Sequence, residues 1–339
     1  MLEAKARTQE CAQINEIHIS YDSAKEIKKS LSSMKLKDDS SWLDTKLWLG
    51  NVLKYNLPKS TLESIVDFKK NDHKCALIIR GLPIDNDLCA TPYKGYLEAS
   101  VTPLASACHI DIYQLANIEP VSYKTENNGF LFRHVVPSLT GRNEKSSHGS
   151  THTFGHHVDN PDLPLTSEVV TEKSGCPEFL SLMALRSDLS VRSNFLLIDE
   201  LLARLSKGVI AELTKPQFTI SRPDSFGQTV STVLPLLTYD SNNVAYCRYD
   251  KENTTPRTEK AAAALVMLEA QLAEKTLQNH IVYQPGDLLI IKNQRTLHSR
   301  EGFSPRDDGA DRWLTRLFGM HSLDRLVQAY SDKKHIGND

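Results

Sequence analysis

The sequence predicts a mixed α and β fold: a double-stranded β-helix (jelly-roll, cupin-like) core with an N-terminal helical region and helical insertions. Three observations predict it. The first hundred or so residues carry apolar side chains at helical spacing. From about residue 129 the chain breaks into short β-favouring runs divided by Pro, Gly, Asn and Asp. Only two helical stretches interrupt those runs. Many short strands with a few outer helices suit a sandwich or jelly roll.

Taken in order, residues 23–34 and the run from Trp42 to about Lys70 repeat apolar positions every three or four residues, the period of a helix. Residues 74–83, KCALIIRGLP, are a short β-branched run closed by Gly-Leu-Pro, hence a buried strand. Residues 95–110 look helical, interrupted near Pro103. Strand-like runs follow at 129–137, 155–159, 178–186, 217–222, 229–238, 243–250, 280–284, 287–293 and 312–320. The helical insertions run from Asn194 to about Thr214 and from Thr258 to Thr276. No repeat, low-complexity tract or linker divides the chain. It therefore reads as a single domain, 1–339: about 1–128 mainly helical support, about 129–322 core, and 323–339 a polar tail expected to be poorly ordered.

Composition narrows the partners. With 40% hydrophobic and 24% charged residues the chain is ordinary for a globular protein. A formal net charge of −2 gives no global field toward nucleic acid or membrane, so a small molecule is the expected partner. No stretch approaches the ~18 uninterrupted apolar residues of a spanning helix, and MLEAKARTQECAQ lacks the apolar segment of a secretory signal. Cys11, Cys75, Cys89, Cys108, Cys176 and Cys247 form no CxxC pair and are expected to be buried free thiols of a cytoplasmic protein.

His157-Val158-Asp159 is the most informative tripeptide. Residues two apart on a strand share a face, so an imidazole and a carboxylate aim at one spot, whereas His156 faces away. A third ligand is offered by His298, at the end of DLLIIKNQRTLH. Two histidines and one carboxylate make a facial triad with open positions, the arrangement of non-haem iron(II) oxygenases. The open positions have room for a chelating 2-oxoglutarate and for O2 as co-substrate. Two alternatives stay open here. Zinc takes the same triad, which would make a hydrolase; and a cupin-like core can bind a ligand without catalysis.

The segment after His298 favours the oxygenase. In the run from 312 to 320, Arg312, Leu314, Arg316 and Phe318 share one face, and Trp313, Thr315 and Leu317 the other. Arginines on an inward face are costly unless each meets an anion, and a guanidinium grips a carboxylate in bidentate fashion. Four strand residues separate them by roughly 13 Å, enough for two carboxylates in one cavity. One fits the C5 carboxylate of 2-oxoglutarate, the other that of an amino-acid substrate. Otherwise both would pair with Asp307, Asp308 or Asp311 at the surface.

HSREGFSPRDDGADRWLTR resembles the C-terminal signature of the clavaminate synthase-like iron(II)/2-oxoglutarate oxygenases, in the branch that hydroxylates free amino acids such as arginine, lysine and asparagine. HHVD, CPEFLSLMALRSD and PGDLLIIKN precede it in the order that family has, so the resemblance spans roughly residues 129–320. It implies His157, Asp159 and His298 as metal ligands, Arg312 as the anchor of 2-oxoglutarate and Arg316 as the clamp on the substrate's α-carboxylate. It also implies a hydroxyl assisting the cofactor near the start of the helix after the ALRSD strand, for which Ser193 is the nearest residue. Members of the branch commonly have glutamate where Asp159 stands; halogenating relatives have a small residue there, so a retained carboxylate implies hydroxylation. The implied reaction is C3 or C4 hydroxylation of a free L-amino acid, basic or amide-bearing (lysine, arginine, ornithine, citrulline or asparagine). Asp240 and Asn242 fall where such relatives hold the substrate's far end, although DSNN also reads as a solvated turn. Arg133, on the strand before the metal loop, would disfavour a cationic tail if it faced the cavity.

Overall fold

The computed structural model describes residues 13–32, 52–95, 97–126, 129–139, 150–222 and 230–339. Its largest sheet has eight strands: β1 (Gln13–His18), β2 (Lys74–Arg80), β3 (Glu119–Tyr123), β4 (Arg133–Val135), β6 (Phe179–Arg186), β14 (Leu288–Lys292), β16 (Trp313–Met320) and β17 (Ile336–Gly337). They run β1-β2-β14-β6-β16-β3-β17, with β4 also paired to β16. The second sheet, β13-β7-β15-β5, is antiparallel and comprises β5 (Phe154–His157), β7 (Ser193–Leu197), β13 (Asn279–Ile281) and β15 (Thr296–Arg300). Beside it lie a three-stranded sheet, β8 (Phe218–Ser221), β9 (Ser231–Leu234) and β12 (Thr254–Pro256), and the pair β10 (Leu237–Tyr239) and β11 (Ala245–Cys247).

The central strands of the large sheet are apolar on both faces because both faces are covered. Period-two alternation sorts their side chains. Phe179, Met183 and Leu185 of β6, Leu288 and Ile290 of β14, and Trp313 and Leu317 of β16 pack with helices α1 (Tyr21–Leu31), α2 (Lys59–Lys70) and α3 (Pro103–Leu115). Leu180, Ala184, Leu289, Ile291, Leu314 and Phe318 face the other way, into a core shared with the second sheet and with α4 (Ile198–Leu202), α5 (Lys207–Leu213) and α6 (Glu259–Leu272). Helix boundaries follow their caps. Ser20 accepts the Ser23 N–H before α1, and Thr258 accepts the Ala261 N–H before α6.

Several expectations are corrected. Pro103 begins α3 rather than interrupting a helix, because a first-turn position needs no N–H donor; the Asp85 carboxylate accepts the next two amides, of Leu104 and Ala105, at 3.0 Å each. The insertion expected as helix from Asn194 starts as strand β7, since ladders to β13 and β15 on either side outweigh local helical spacing. The region before 129 gives the large sheet β1 and β3 besides the strand expected at 74–83, which is β2; part of the run from Trp42 lies outside the described residues. The polar tail is docked: β17 pairs with β3, and Asp339 accepts from Thr125 and Arg222. Cys89 is exposed, the other described cysteines are buried and all of them are free, while Cys11 lies outside the described residues. No helix among the described residues is long and apolar enough to cross a membrane.

The Pro-Gly-Asp turn before β14 needs its glycine. Gly286 has φ +88°, and a Cβ there would sit 2.2 Å from the Leu82 carbonyl, whose own N–H bonds Gly286 O. This joins the end of β2 to the start of β14.

Asp111 in α3 is buried, with one oxygen accepting the Leu53 N–H at 2.9 Å; burial pushes its carboxyl up to about 7. The folded chain therefore keeps it neutral while the unfolded chain ionises it above 3.8, so stability falls as pH rises from about 4 to about 7 and the penalty is constant above. Asp111→Asn keeps an acceptor for Leu53 without the ionisation. Thermal melts should show it more stable than the parent at pH 8, by roughly 2–4 kcal/mol, and equal to it at pH 4. A constant difference across that range would exclude this origin.

Candidate metal centre

β5 and β15 place His157 and His298 directly opposite each other in an antiparallel pair, with ring centroids 4.0 Å apart. β5 ends at His157, so Asp159 is aimed from the loop just beyond it rather than from the strand itself. Its Oδ1 lies 3.5 Å from His157 Nε2 and 3.8 Å from His298 Nε2. One ligand atom from each of the three falls within 4.8 Å of the others, and no other such group exists among the described residues. His157 Nδ1 donates to Gly155 O at 2.8 Å, which leaves Nε2 free to ligate. His156 instead faces Gln278, 3.0 Å away. Two imidazole nitrogens and one carboxylate converging from a stiff ladder and its adjoining loop fit a divalent transition metal such as iron(II).

The charges support that use. Burial pushes His298 down to about 3, and the neighbouring His157 adds to this, so its imidazole is neutral. Burial opposes ionisation of Asp159, but Arg316 and the two histidines hold its carboxyl far below the usual range. His157 is raised, Asp159 outweighing the opposing effect of burial.

A cavity of about 650 Å³ lies between the two sheets. The second sheet lines it with His157, His298, Ser193 and Arg300, the large sheet with Leu180, Leu182, Leu289 and Leu314. Arg316 on β16 and Arg312, the residue just before β16, both face it, and neither pairs with Asp307, Asp308 or Asp311 among the described residues. Arg316 binds Asp159 Oδ2 at 3.2 Å and also the Glu126 carboxylate; these acids outweigh burial and raise its guanidinium. Arg312 is different. It donates to Ser193 Oγ at 3.0 Å and lies over the Tyr283 ring at 5.8 Å, with no carboxylate in ion-pair range among the described residues. Burial pushes it down to about 10, so it remains a cation at neutral pH. A buried guanidinium whose close partners are neutral has charge and N–H donors to offer an anion. Ser193 stands at the start of β7, not of a helix, and still reaches Arg312.

The remaining expectations divide. Arg133 lines a smaller cavity of about 220 Å³ that shares Arg316, and pairs with Glu126 at 3.4 Å. Burial, then Arg316, pushes Arg133 down to about 10. Asp240 and Asn242 are not brought to either cavity. The Asp240 carboxylate accepts the N–H groups of Asn242 and Val244 and so closes its own turn, and Asn242 is exposed. The sequence reading missed Glu126, whose carboxylate joins Arg133, Arg316 and the Asn160 side chain. A single acid in the polar stretch TENNGF carries no pattern that could have marked it.

Residues 148–318 match the family model described as taurine catabolism dioxygenase TauD, TfdA family. The chain is 28% identical over 303 residues to L-asparagine oxygenase of Streptomyces coelicolor, covering 85% of this chain and 83% of that protein. It is 28% identical over 277 residues to L-lysine 3-hydroxylase of Catenulispora acidiphila, covering 77% and 72%. A crystal structure of the non-heme iron oxygenase OrfP in complex with Fe and alpha-ketoglutaric acid shares the fold, with TM-score 0.77, 23% identity, and coverage of 95% of this chain and 100% of that one.

Proposed function

Because the chain belongs to the TauD/TfdA dioxygenase family, we propose that it hydroxylates a free L-amino acid at C3 or C4, using iron(II), 2-oxoglutarate and O2 and releasing succinate and CO2. The observation that carries this reading is Arg312: a buried cation, paired with a serine, that lines the cavity immediately before the strand that points Arg316 at the metal triad. The relatives named for asparagine and lysine support an amino acid with a basic or amide-bearing side chain, the class that also includes arginine, ornithine and citrulline.

His157, Asp159 and His298 would hold the iron, which together with 2-oxoglutarate and O2 supplies the oxidising power for C–H hydroxylation. The chain's own residues do the rest. Arg312 and Ser193 orient the distal carboxylate of 2-oxoglutarate. Ser193 sits opposite Arg300, two residues along β15 from His298, so metal and anchor are separated by roughly 7 Å of strand, a span that suits a five-carbon diacid. Arg316 has five N–H donors, and those not used by Asp159 and Glu126 can take the substrate's α-carboxylate. Glu126, beside it, can receive the ammonium. The apolar wall of Leu180, Leu182, Leu289 and Leu314 keeps water from the reacting carbon. We read the two facing sheets as the double-stranded β-helix of such enzymes, and the chain as one oxygenase domain.

A succinate-release screen over the twenty proteinogenic amino acids, ornithine and citrulline tests both reaction and substrate. Succinate should form above the substrate-free background with a basic or amide-bearing member. Activity with zinc and without oxygen would replace this reading by a hydrolase.

A further inference from the structure

Among the described residues Asp159 has no strand partner. Beyond β5, Val158 still donates to Tyr249 O at 2.9 Å, but at Asp159 a side chain takes over. Asn293 Oδ1 accepts the Asp159 N–H at 3.0 Å, and Asn293 Nδ2 donates to the Asp159 carbonyl at 3.1 Å. The same amide donates to Pro177 O at 2.9 Å, so its acceptor and its donors are all engaged. Asn293 is completely buried. An amide that accepts from and donates to one residue reproduces the pair of bonds a neighbouring strand would make.

We propose that Asn293 is a positioning residue of the metal centre, its side chain standing in for the missing strand partner of Asp159 and setting how tightly the three ligands grip the ion. This rests on the metal reading above. Aspartate has one methylene between main chain and carboxylate, so its oxygens follow the backbone closely. Arg316 pulls Asp159 Oδ2 toward the large sheet; an anchored backbone keeps Oδ1 turned to the histidines. Asn293 also opens the 3-10 turn Asn293–Arg295, which runs straight into β15 and His298. One turn thus fixes two of the three ligands. Its next residue, Gln294, is anchored elsewhere: it donates to Cys176 O at 2.9 Å and accepts the Thr166 N–H at 2.7 Å, without touching Asp159.

The test is anaerobic calorimetric titration of metal-free protein with iron(II) alone, below the unfolding temperature of each variant. The parent should bind one equivalent and His298→Ala should lose it. Asn293→Ala should bind about 10–100-fold more weakly, the usual worth of a group that orients a metal ligand. Asn293→Ser, which loses the two-point clasp at less cost in volume, should fall in the same range and carries the test if the alanine variant does not fold. Gln294→Ala also loses hydrogen bonds of the same turn, none of them to Asp159, and should bind iron(II) as the parent does. Parent-like affinity in a folded Asn293 variant, or an equal loss in Gln294→Ala, overturns the proposal while leaving the metal reading intact. A parent that binds no iron(II) overturns both.

Discussion

Asp159→Ala should abolish 2-oxoglutarate-dependent succinate release, by more than about 100-fold, since even the groups that merely orient metal ligands are worth about 10–100-fold. Two losses combine. The ion keeps only His157 and His298, and Arg316 keeps only the Glu126 half of its buried pairing. The variant should be folded, because the Asn293 bonds go to the backbone of residue 159 and not to its carboxylate. Circular dichroism with a succinate assay checks both points. A folded variant that turns over normally would falsify the triad.

The second large effect is expected at Arg312. Arg312→Met removes the buried cation and retains most of the volume. The KM for 2-oxoglutarate should rise by about 100-fold, the equivalent of ~3 kcal/mol for a desolvated charge pair, with a smaller change in kcat once the cofactor is saturating. Arg312→Lys should recover only part, because an ammonium cannot present the planar fork. Ser193→Ala should move KM in the same direction by less, since it removes one hydrogen bond and no charge. An unchanged KM in Arg312→Met would move the anchor to another cation of the cavity, of which Arg300 is the nearest on β15.

The parts of this site that were legible in the sequence are those that strand geometry repeats. Arg312 and Arg316 were assigned one face because they are four apart in a strand-like run; Arg312 falls just before β16 and still lines the cavity with Arg316, and the apolar residues of β16 sort as that parity demands. His157 and Asp159 were chosen by the same rule, and the choice of His157 over His156 agrees with the contacts, although Asp159 lies past the strand and is held there by Asn293. What was not legible is set by tertiary pairing. Glu126 and Asn293 are single polar residues whose meaning depends on what is folded against them. Strand β7 reads locally as helix, and only its neighbours β13 and β15 make it a strand. Asp240 failed for the opposite reason, because its local chemistry as a turn-former consumes the carboxylate that a distant ligand would need.

The direct pairing of His157 with His298 has a bearing on how this chain can be altered. Substitutions change one side chain at a time, whereas a one-residue insertion or deletion between Asn293 and His298 would rotate the second histidine out of the cavity and bring Leu297 or Ser299 in. Even a two-residue step, which restores the face, would move His298 by roughly 7 Å along the strand and away from His157, so length there is fixed. A library meant to reshape the substrate end should hold that stretch at constant length and place its diversity in segments that do not enter the ladder.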